Sequence, residues 1–454
     1  MSYKTTLIIA ILLVLLGVYA YYFEYKGGQK KEEEKEKAKT LFEVKKEDVV
    51  EIRITGILPG PVKMVPAGKE NWRLDTPLQA RADQSTVDRI LNSFEKLKYK
   101  EIIDEQPRDL RPYELDKPPM TIQLTLKGNI QREVSIGAKN PVDNVYYIKV
   151  NHDARVYLAE GTIGDLSTTT LLDLRDKKLT DFTTDKVESI NLSTTALAMQ
   201  FQKQNETWKM QQPVQSPASN SEVTSLLSSL ESLRATRFID QPGENLEPYG
   251  LKAPVATVEL SLEKGLRQKI EFGKAGDEMY ARLEGSQGIA AIDNTLSSTF
   301  EKKLEDWREK KVLVFNRFDA EEILIKAGGK DYSFKKGQSD KWNQNSPQKA
   351  EIEYEQIQGI LEKLESAEIT NYGDQPALDG PPLAEVFITL KDWQDKTSKK
   401  HLSFGAVKDK AQQVKNDDYG SIVFAQPSVM ADLLKAVTEL MPKPPAPPEQ
   451  KKEE

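Results

Sequence analysis

The stretch RPYELDKPPMTIQLTL (residues 111–126) has a near copy later in the chain, EPYGLKAPVATVELSL (residues 247–262). Six proline, tyrosine and leucine residues recur between the two stretches without a gap, at a constant offset of 136 positions. They are Pro112, Tyr113, Leu115, Pro118, Leu124 and Leu126, which return as Pro248, Tyr249, Leu251, Pro254, Leu260 and Leu262. Repetition at a domain-sized period predicts tandem copies of one structural unit.

Other landmarks of the chain repeat in the same way. A Trp, a Pro and a Gly return at the same offset in the second copy, and a looser third copy keeps all three residue types. The positions are Trp72, Pro77 and Gly137, then Trp208, Pro213 and Gly273, then Trp342, Pro347 and Gly405. We therefore predict three repeats, over residues 41–178, 179–311 and 312–441, of which the third is divergent.

Each copy predicts the same order of elements. An alternating strand opens it (VEIRI, SINLS or EILIKA), and a second strand leads to the Trp. A helix with one apolar stripe follows, capped at Asp83 in the first copy and at Ser219 or Asn220 in the second. Alternating strands then complete the copy. The predicted fold class is α+β, with a mostly antiparallel sheet and packed helices in each repeat.

The N-terminus predicts a transmembrane helix. Residues 7–23, LIIAILLVLLGVYAYYF, are uniformly apolar or aromatic and extend about 25 Å as a helix. The anchor residues are Leu7, Leu12, Leu16, Tyr19, Tyr22 and Phe23. A cleaved signal peptide is the alternative, but the run ends in YYFEY, which is a poor cleavage site. We predict a retained anchor over residues 1–23.

Two polar segments flank the repeats. Residues 24–40 include the charged run GGQKKEEEKEKAKT, which predicts a stalk that spaces the repeats from the bilayer. Residues 442–454, rich in proline and charge, predict a disordered tail.

Composition excludes several function classes. The net charge of −7 argues against a nucleic-acid partner. There are no cysteines and only two histidines, so thiol chemistry and multi-histidine metal sites have little to draw on. His152 is expected in an exposed turn, and His401 is expected to begin a strand after a lysine-rich loop, also as a solvated residue. The GGK at residues 328–330 fits a hairpin turn better than a phosphate loop.

The repeated residues themselves are interpreted as structural. Three tryptophans could form a carbohydrate platform, but their equivalent positions favour a role in each core. Tyr113 and Tyr249 belong to the same repeated signature, and the three repeated glycines are expected at strand-end turns that need a positive φ. We accordingly predict no catalytic, cofactor-binding or metal-binding residues.

Three further stretches carry a family resemblance: LFEVKKEDVVEIRI, NWRLDTPLQARADQSTVDRIL, and EPYGLKAPVATVEL followed by IEFG. With the short anchor, they resemble a bacterial family known as domain of unknown function 4340 over nearly the whole chain. The resemblance implies an accessory, envelope-facing component of an ABC-type transporter similar to the gliding-motility system, with a permease or an auxiliary membrane subunit as partner. It implies no catalytic residues.

The orientation of the anchor rests partly on that resemblance. Counted literally, the lysines after the helix would place the repeats in the cytoplasm. The very short leader begins with Lys4, as a secretory signal does, and with the resemblance this favours an extracytoplasmic, periplasmic location at the inner membrane. A structural spacer that binds cell-wall material is the alternative function, and a carbohydrate-active enzyme is the third.

Overall fold

The structure is a computed structural model that describes residues 12–19, 21, 37–68, 71–142, 145–159, 162–338 and 341–440. These residues form three sheets of antiparallel strands with helices packed on them. One compact unit ends at Lys177 and holds the first sheet, and a second begins at Lys178 and holds the other two. The predicted α+β class with mostly antiparallel sheets is confirmed, whereas the exact repeat boundaries stay predictions.

Within the described ranges, the first sheet has ten strands. They are β1 (Thr40–Glu43), β2 (Val49–Thr55), β3 (Val62–Pro66), β4 (Trp72–Thr76), β5 (Ala80–Arg81), β6 (Lys96–Asp104), β7 (Met120–Leu126), β8 (Ile130–Lys139), β9 (Tyr146–Val150) and β10 (Val156–Ala159). Their order is β1-β6-β10-β9-β8-β7-β2-β3-β4-β5. Helices α1 (Gln84–Glu95) and α2 (Leu171–Leu174) accompany them. Thr40, expected to end the stalk, is thus already the first residue of β1.

The second sheet has nine strands in the described part of the chain. They are β11 (Val187–Thr194), β12 (Ala198–Gln204), β13 (Thr207–Gln212), β14 (Ser216–Pro217), β15 (Arg237–Ile239), β16 (Ala256–Leu262), β17 (Arg267–Ala275), β18 (Glu278–Leu283) and β19 (Ile289–Ile292). Their order is β14-β13-β12-β11-β16-β17-β18-β19-β15. Helices α3 (Asn220–Glu231) and α4 (Ser297–Phe300) accompany this sheet. A 3-10 helix, Leu304–Trp307, follows α4 in the chain.

The third sheet also has nine strands among the described residues. They are β20 (Ala320–Ala327), β21 (Lys330–Lys336), β22 (Lys341–Ser346), β23 (Ala350–Glu353), β24 (Ile369–Tyr372), β25 (Ala384–Lys391), β26 (Thr397–Lys408), β27 (Ala411–Asn416) and β28 (Val423–Ala425). Their order is β23-β22-β21-β20-β25-β26-β27-β28-β24. Helices α5 (Tyr354–Ser366) and α6 (Val429–Glu439) pack on it. The second and third sheets therefore share one strand order, and the first differs by the added β1.

One face of each sheet carries the core. Strand β7 alternates buried and partly exposed residues along its length, as a strand covered on one face does. Helix α1 buries Val87, Ile90 and Phe94 in the same core as the inward residues of the first sheet. Helices α3 and α5 do the same in the other two sheets. In the described part of the chain, no α-helix of the same sheet covers the opposite face, which is called the outer face below.

In the first two sheets, the helices are capped by residues that the sequence predicted. The Asp83 carboxylate accepts a hydrogen bond from the Thr86 backbone N–H at 2.9 Å, and Ser219 Oγ accepts one from the Glu222 N–H at 3.4 Å. At the start of α5, Glu353 occupies the same position and its side chain makes no capping hydrogen bond. The third helix is therefore capped less well than the first two.

Glu353→Asp is expected to stabilise the N-terminal turn of α5 by about 1 kcal/mol, because a shorter carboxylate at this position can accept a free backbone N–H. Native-state hydrogen exchange of the α5 amides measures the change locally. Glu353→Gln, which keeps the longer side chain, is the matched control. Equal exchange rates in the wild type and in Glu353→Asp would contradict the capping argument.

A buried arginine joins the second and third sheets within their compact unit. Arg308 is 4% exposed, and its guanidinium carbon lies 3.6 Å from the centroid of the Tyr372 ring. Burial lowers the pKa of Arg308 and raises that of Tyr372 to about 12. The Tyr372 hydroxyl donates to the Glu309 carbonyl at 2.8 Å. Cation–π stacking offsets part of the cost of burying the charge, so this contact helps to fix the two sheets together.

The predicted anchor lies mostly outside the described residues. Residues 12–19 are helical, and they include Leu12, Leu16 and Tyr19, whereas Leu7, Tyr22 and Phe23 are not described. Among the described residues, the structure contains no helix that is both long and apolar enough to cross a membrane. The stalk, apart from residues 37–40, and the C-terminal tail also fall outside the described residues.

Candidate functional site

The strongest difference among the three sheets lies on their outer faces. In each sheet, three neighbouring central strands place three outward residues in one cross-strand row. The rows are Arg53–Gln123–Glu133 in the first sheet, Asn191–Glu259–Lys269 in the second, and Leu324–Phe387–His401 in the third. Two rows are entirely polar, whereas the third is apolar and aromatic.

In each polar row, two side chains pair with each other across neighbouring strands, as is typical of a solvated sheet face. In the first sheet, Gln123 Nε2 donates to Glu133 Oε2 at 3.3 Å. In the second sheet, Lys269 Nζ lies 3.3 Å from Glu259 Oε1 in an ion pair. Such cross-strand pairs contribute a few tenths of a kcal/mol and leave no apolar surface to be covered. The outer face of the second sheet also has a cavity at this row, of about 260 Å³, but polar side chains line it.

The third row is built by aromatic stacking. The Phe387 and His401 rings lie nearly parallel, with an interplanar angle of 6° and centroids 4.3 Å apart. Lys326 Nζ lies 5.5 Å from the Phe387 ring centroid. Leu324 is the cross-strand neighbour of Phe387 on β20 and is only partly exposed. We call the surface formed by Leu324, Phe387 and His401 the stacked row.

A groove on the third sheet contains the stacked row. It has a volume of about 600 Å³, and charged groups of both signs stand around it. They include Glu322, Lys335, Lys399, Lys400 and Asp417. Lys400 is itself paired with Asp418 at 2.6 Å. An apolar floor within a mixed polar rim is the usual composition of a protein-binding patch.

His401 is held on both sides of its ring. Nδ1 lies 3.2 Å from Asp417 Oδ2, and Nε2 lies 3.2 Å from Ser403 Oγ and 3.4 Å from Glu385 Oε1. The residue sits inside β26, four positions after the strand begins. The expectation that His401 begins a strand was therefore wrong, because β26 begins earlier, at Thr397, and the side chain is 28% exposed. His152, by contrast, is exposed in a turn, as expected.

The hydroxyl, imidazole and carboxylate of Ser403, His401 and Asp417 form a hydrogen-bonded series like that of a serine hydrolase. Two observations distinguish this series from a catalytic triad. The carboxylate of a catalytic triad is buried so that it fixes the imidazole, whereas the Asp417 side chain is 68% exposed. The Glu385 carboxylate also competes with the Ser403 hydroxyl for Nε2. The arrangement is best suited to holding the His401 ring flat against Phe387.

The stacked row has a signal in the sequence that a comparison of repeated residues alone does not reveal. In the first two copies the opening strand alternates apolar and polar residues, as in EIRI and SINL. In the third copy the opening strand EILIKA, which was expected to alternate, contains the uninterrupted apolar run ILI at 323–325, and its neighbour β25 contains VFI at 386–388. Loss of alternation in a strand predicts apolar side chains on both faces of the sheet.

The repeated tryptophans lie at equivalent places in the three cores. Trp72, Trp208 and Trp342 lie on β4, β13 and β22, and each is no more than 8% exposed. Pro77, Pro213 and Pro347 each follow a cis peptide bond. None of these residues reaches the groove around the stacked row.

The repeated tyrosines and glycines meet each other in the first two sheets. Tyr113 packs edge-on against Tyr147 with ring centroids 5.1 Å apart, and Tyr249 does so against Tyr280 at 5.2 Å. The expectation that the glycines need a positive φ was wrong: Gly137, Gly273 and Gly405 lie inside β8, β17 and β26 with ordinary strand conformations.

At two of these positions, the close approach of a backbone carbonyl explains why the residue is glycine. A Cβ on Gly137 would lie 2.1 Å from the Tyr113 carbonyl oxygen, and a Cβ on Gly273 would lie 2.1 Å from that of Tyr249. Gly405 is less crowded, since its nearest neighbour would be the Leu378 side chain at 3.0 Å. The glycines therefore let the tyrosine turn dock against the strand. No group of three or more potential metal-ligating side chains occurs among the described residues.

Comparison with known proteins places the chain in a family. A search of curated proteins finds no match. The family described as Domain of unknown function (DUF4340) matches twice, over residues 72–209 and 208–384. Both matches begin at or beside a repeated tryptophan, Trp72 or Trp208, and together they span most of the chain. The chain belongs to the DUF4340 family.

Proposed function

We propose that this chain is a non-enzymatic, single-pass inner-membrane protein whose extracytoplasmic repeats serve as a binding component of an envelope ABC-type transport complex. Membership of the DUF4340 family supports the proposal through the transporter context that the resemblance implies. The apolar N-terminal run supports the membrane anchor. The partner is the permease or an auxiliary membrane subunit of that complex.

The stacked row is the structural observation that supports this proposal. Phe387 and Leu324, both partly exposed, place apolar side chains where the other two sheets have charged or amide side chains. The stacked His401 limits the motion of the Phe387 ring, so little side-chain entropy remains to be lost when a partner binds. Aromatic residues in a partly desolvated patch commonly provide most of the free energy of a protein interface. We infer that a partner with a complementary apolar centre docks on this groove.

Affinity purification of the full-length chain from native membranes in a mild detergent tests the proposal. We expect an ABC-type membrane subunit to co-purify. Phe387→Gln should reduce its recovery about tenfold or more, because the aromatic centre of the patch is lost. Gln stands at the equivalent position of the first sheet, Gln123, so the sheet should accept the change.

Two controls accompany this experiment. Glu259→Gln makes a comparable change at the equivalent outer position of the second sheet, and it should leave recovery unchanged. Recovery of the chain alone under all conditions would argue against a stable partner. Unchanged recovery with Phe387→Gln would show that the partner binds elsewhere, and enrichment of cell-wall fragments instead would favour the spacer.

The proposed orientation makes its own prediction. A compartment-sensitive reporter fused after Glu454 should be active only outside the cytoplasm, since the anchor would translocate everything that follows it. The matched control is a fusion directly after Met1, which should report the cytoplasm. Cytoplasmic activity of the C-terminal fusion would contradict the proposed location.

A further inference from the structure

A second surface of the third sheet adjoins the groove, with which it shares Lys399 and Lys400. The hairpin of residues 391–400, KDWQDKTSKK, joins β25 to β26, and we call it the Trp393 hairpin. Trp393 is 88% exposed. The other four tryptophans, Trp72, Trp208, Trp307 and Trp342, are each at most 8% exposed. The repeated cores thus account for every tryptophan except Trp393.

The turn that carries Trp393 is internally braced. Asp392 Oδ1 accepts hydrogen bonds from the backbone N–H groups of Gln394 and Lys396, both at 2.9 Å. The Asp392 N–H in turn donates to the Lys396 carbonyl at 3.1 Å. Lys391 and Asp395 form an ion pair at 2.8 Å across the turn. The hairpin therefore holds the backbone around Trp393 in a defined conformation, which lowers the backbone entropy lost on binding.

The hairpin is basic in an acidic protein. It holds four lysines and two aspartates, whereas the whole chain has a net charge of −7. Lys391 and Lys400 are paired with carboxylates. Lys399 is exposed, and within the described part of the chain no carboxylate lies at ion-pair distance from it. The hairpin that carries the exposed indole therefore has an excess of positive charge.

The equivalent hairpins of the other two sheets also combine an exposed apolar side chain with a nearby lysine, but the apolar side chain is smaller. Between β7 and β8, Ile130 is 47% exposed next to the Lys127 turn. Between β16 and β17, Leu266 is 62% exposed next to Lys264. Each repeat thus exposes one large apolar side chain near a lysine at this hairpin, and the third has the largest.

We propose that the Trp393 hairpin docks on the surface of a phospholipid bilayer that contains anionic lipids. Indole rings favour the interface between headgroups and acyl chains, and each nearby lysine contributes through attraction to anionic headgroups. A protein hot spot would instead place Trp393 at the centre of an occluded patch, whereas its chain neighbours Asp392 and Gln394 are polar. Charge and the isolation of the indole both favour the bilayer. This proposal does not depend on the groove having a partner.

Fluorescence of the full-length chain, reconstituted in phosphatidylethanolamine–phosphatidylglycerol vesicles, tests the proposal. Subtracting the emission of Trp393→Phe from that of the wild type isolates Trp393, since the other tryptophans are buried. We expect brominated acyl chains to quench this difference emission. Lys399→Gln should lower the ratio of quenched to unquenched Trp393 about fivefold, because about 1 kcal/mol of attraction per lysine is lost.

Lys410→Gln is the matched control, since Lys410 lies in the turn at the other end of β26. It should leave the quenching unchanged. The proposal is overturned if brominated lipids leave Trp393 unaffected while acrylamide still quenches it, which would place the hairpin in water. It is equally overturned if Trp393 is shielded from both quenchers, which would mean that a protein surface covers it.

Discussion

Gly273→Ala is expected to destabilise the second sheet by about 3 kcal/mol. The added Cβ would lie 2.1 Å from the Tyr249 carbonyl oxygen and 2.9 Å from the carbonyl carbon of Gly250. Both neighbours are backbone atoms, so the turn of residues 247–249 must move away from β17 to relieve the overlap. That movement would also separate Tyr249 from Tyr280. Hydrogen exchange of the β16 and β17 amides measures the loss.

Other glycines provide the controls for this substitution. Gly137→Ala meets the same 2.1 Å overlap and should cost a similar amount in the first sheet. Gly359→Ala, inside α5 with no atom within 4 Å of the added Cβ, should stabilise the third sheet by about 1 kcal/mol. If Gly273→Ala has no more effect than Gly359→Ala, close approach is not the reason for the repeated glycine.

Gln344→Leu is expected to stabilise the third sheet by about 2 kcal/mol. Gln344 is 2% exposed, and neither its amide oxygen nor its amide nitrogen has a hydrogen-bond partner in the described part of the chain. It lies two residues after the repeated Trp342, where the other copies have Leu74 and Met210. An apolar side chain removes the desolvation cost and fits a position that is already apolar in two copies.

Chemical denaturation followed by the fluorescence of the buried tryptophans measures the change. Met210→Gln, the reverse substitution at the equivalent position, should destabilise the second sheet by a comparable amount. A loss of stability on Gln344→Leu would contradict this expectation, because it would mean that the amide makes a favourable contact worth more than its desolvation.

The repeat architecture could be predicted from the sequence because it depends on patterns that tolerate substitution. The offset between Tyr113 and Tyr249 identified two copies, and the structure gives the third sheet the same strand order as the second. In the third sheet a hydrogen bond replaces the tyrosine pair: Gln413 Nε2 donates to Asp379 Oδ2 at 2.7 Å. This hydrogen bond links the segment before β25 to β27, so the third sheet keeps its strand order without the tyrosine pair.

The candidate site was harder to predict because it depends on cross-strand register. Phe387 and His401 lie on different strands of a hairpin, and only the register in which β25 pairs with β26 brings their rings together. The prediction of a positive φ at the repeated glycines failed for a similar reason, because the Tyr249 carbonyl approaches Gly273 through a tertiary contact. The local sequence pattern indicates which face of a sheet a residue occupies. Which residues it contacts there depends on how the strands pair.

The most direct test of the proposed docking surface is site-specific photo-crosslinking in native membranes. A photoreactive phenylalanine analogue replaces Phe387 in the full-length chain, and the same analogue at Gln123 or Glu259 probes the equivalent outer positions of the other sheets. We predict a discrete adduct with an ABC-type membrane subunit from position 387 and none from the other two. Identical adducts from all three positions, or an adduct only from 123 or 259, would contradict the assignment of the stacked row as the binding surface.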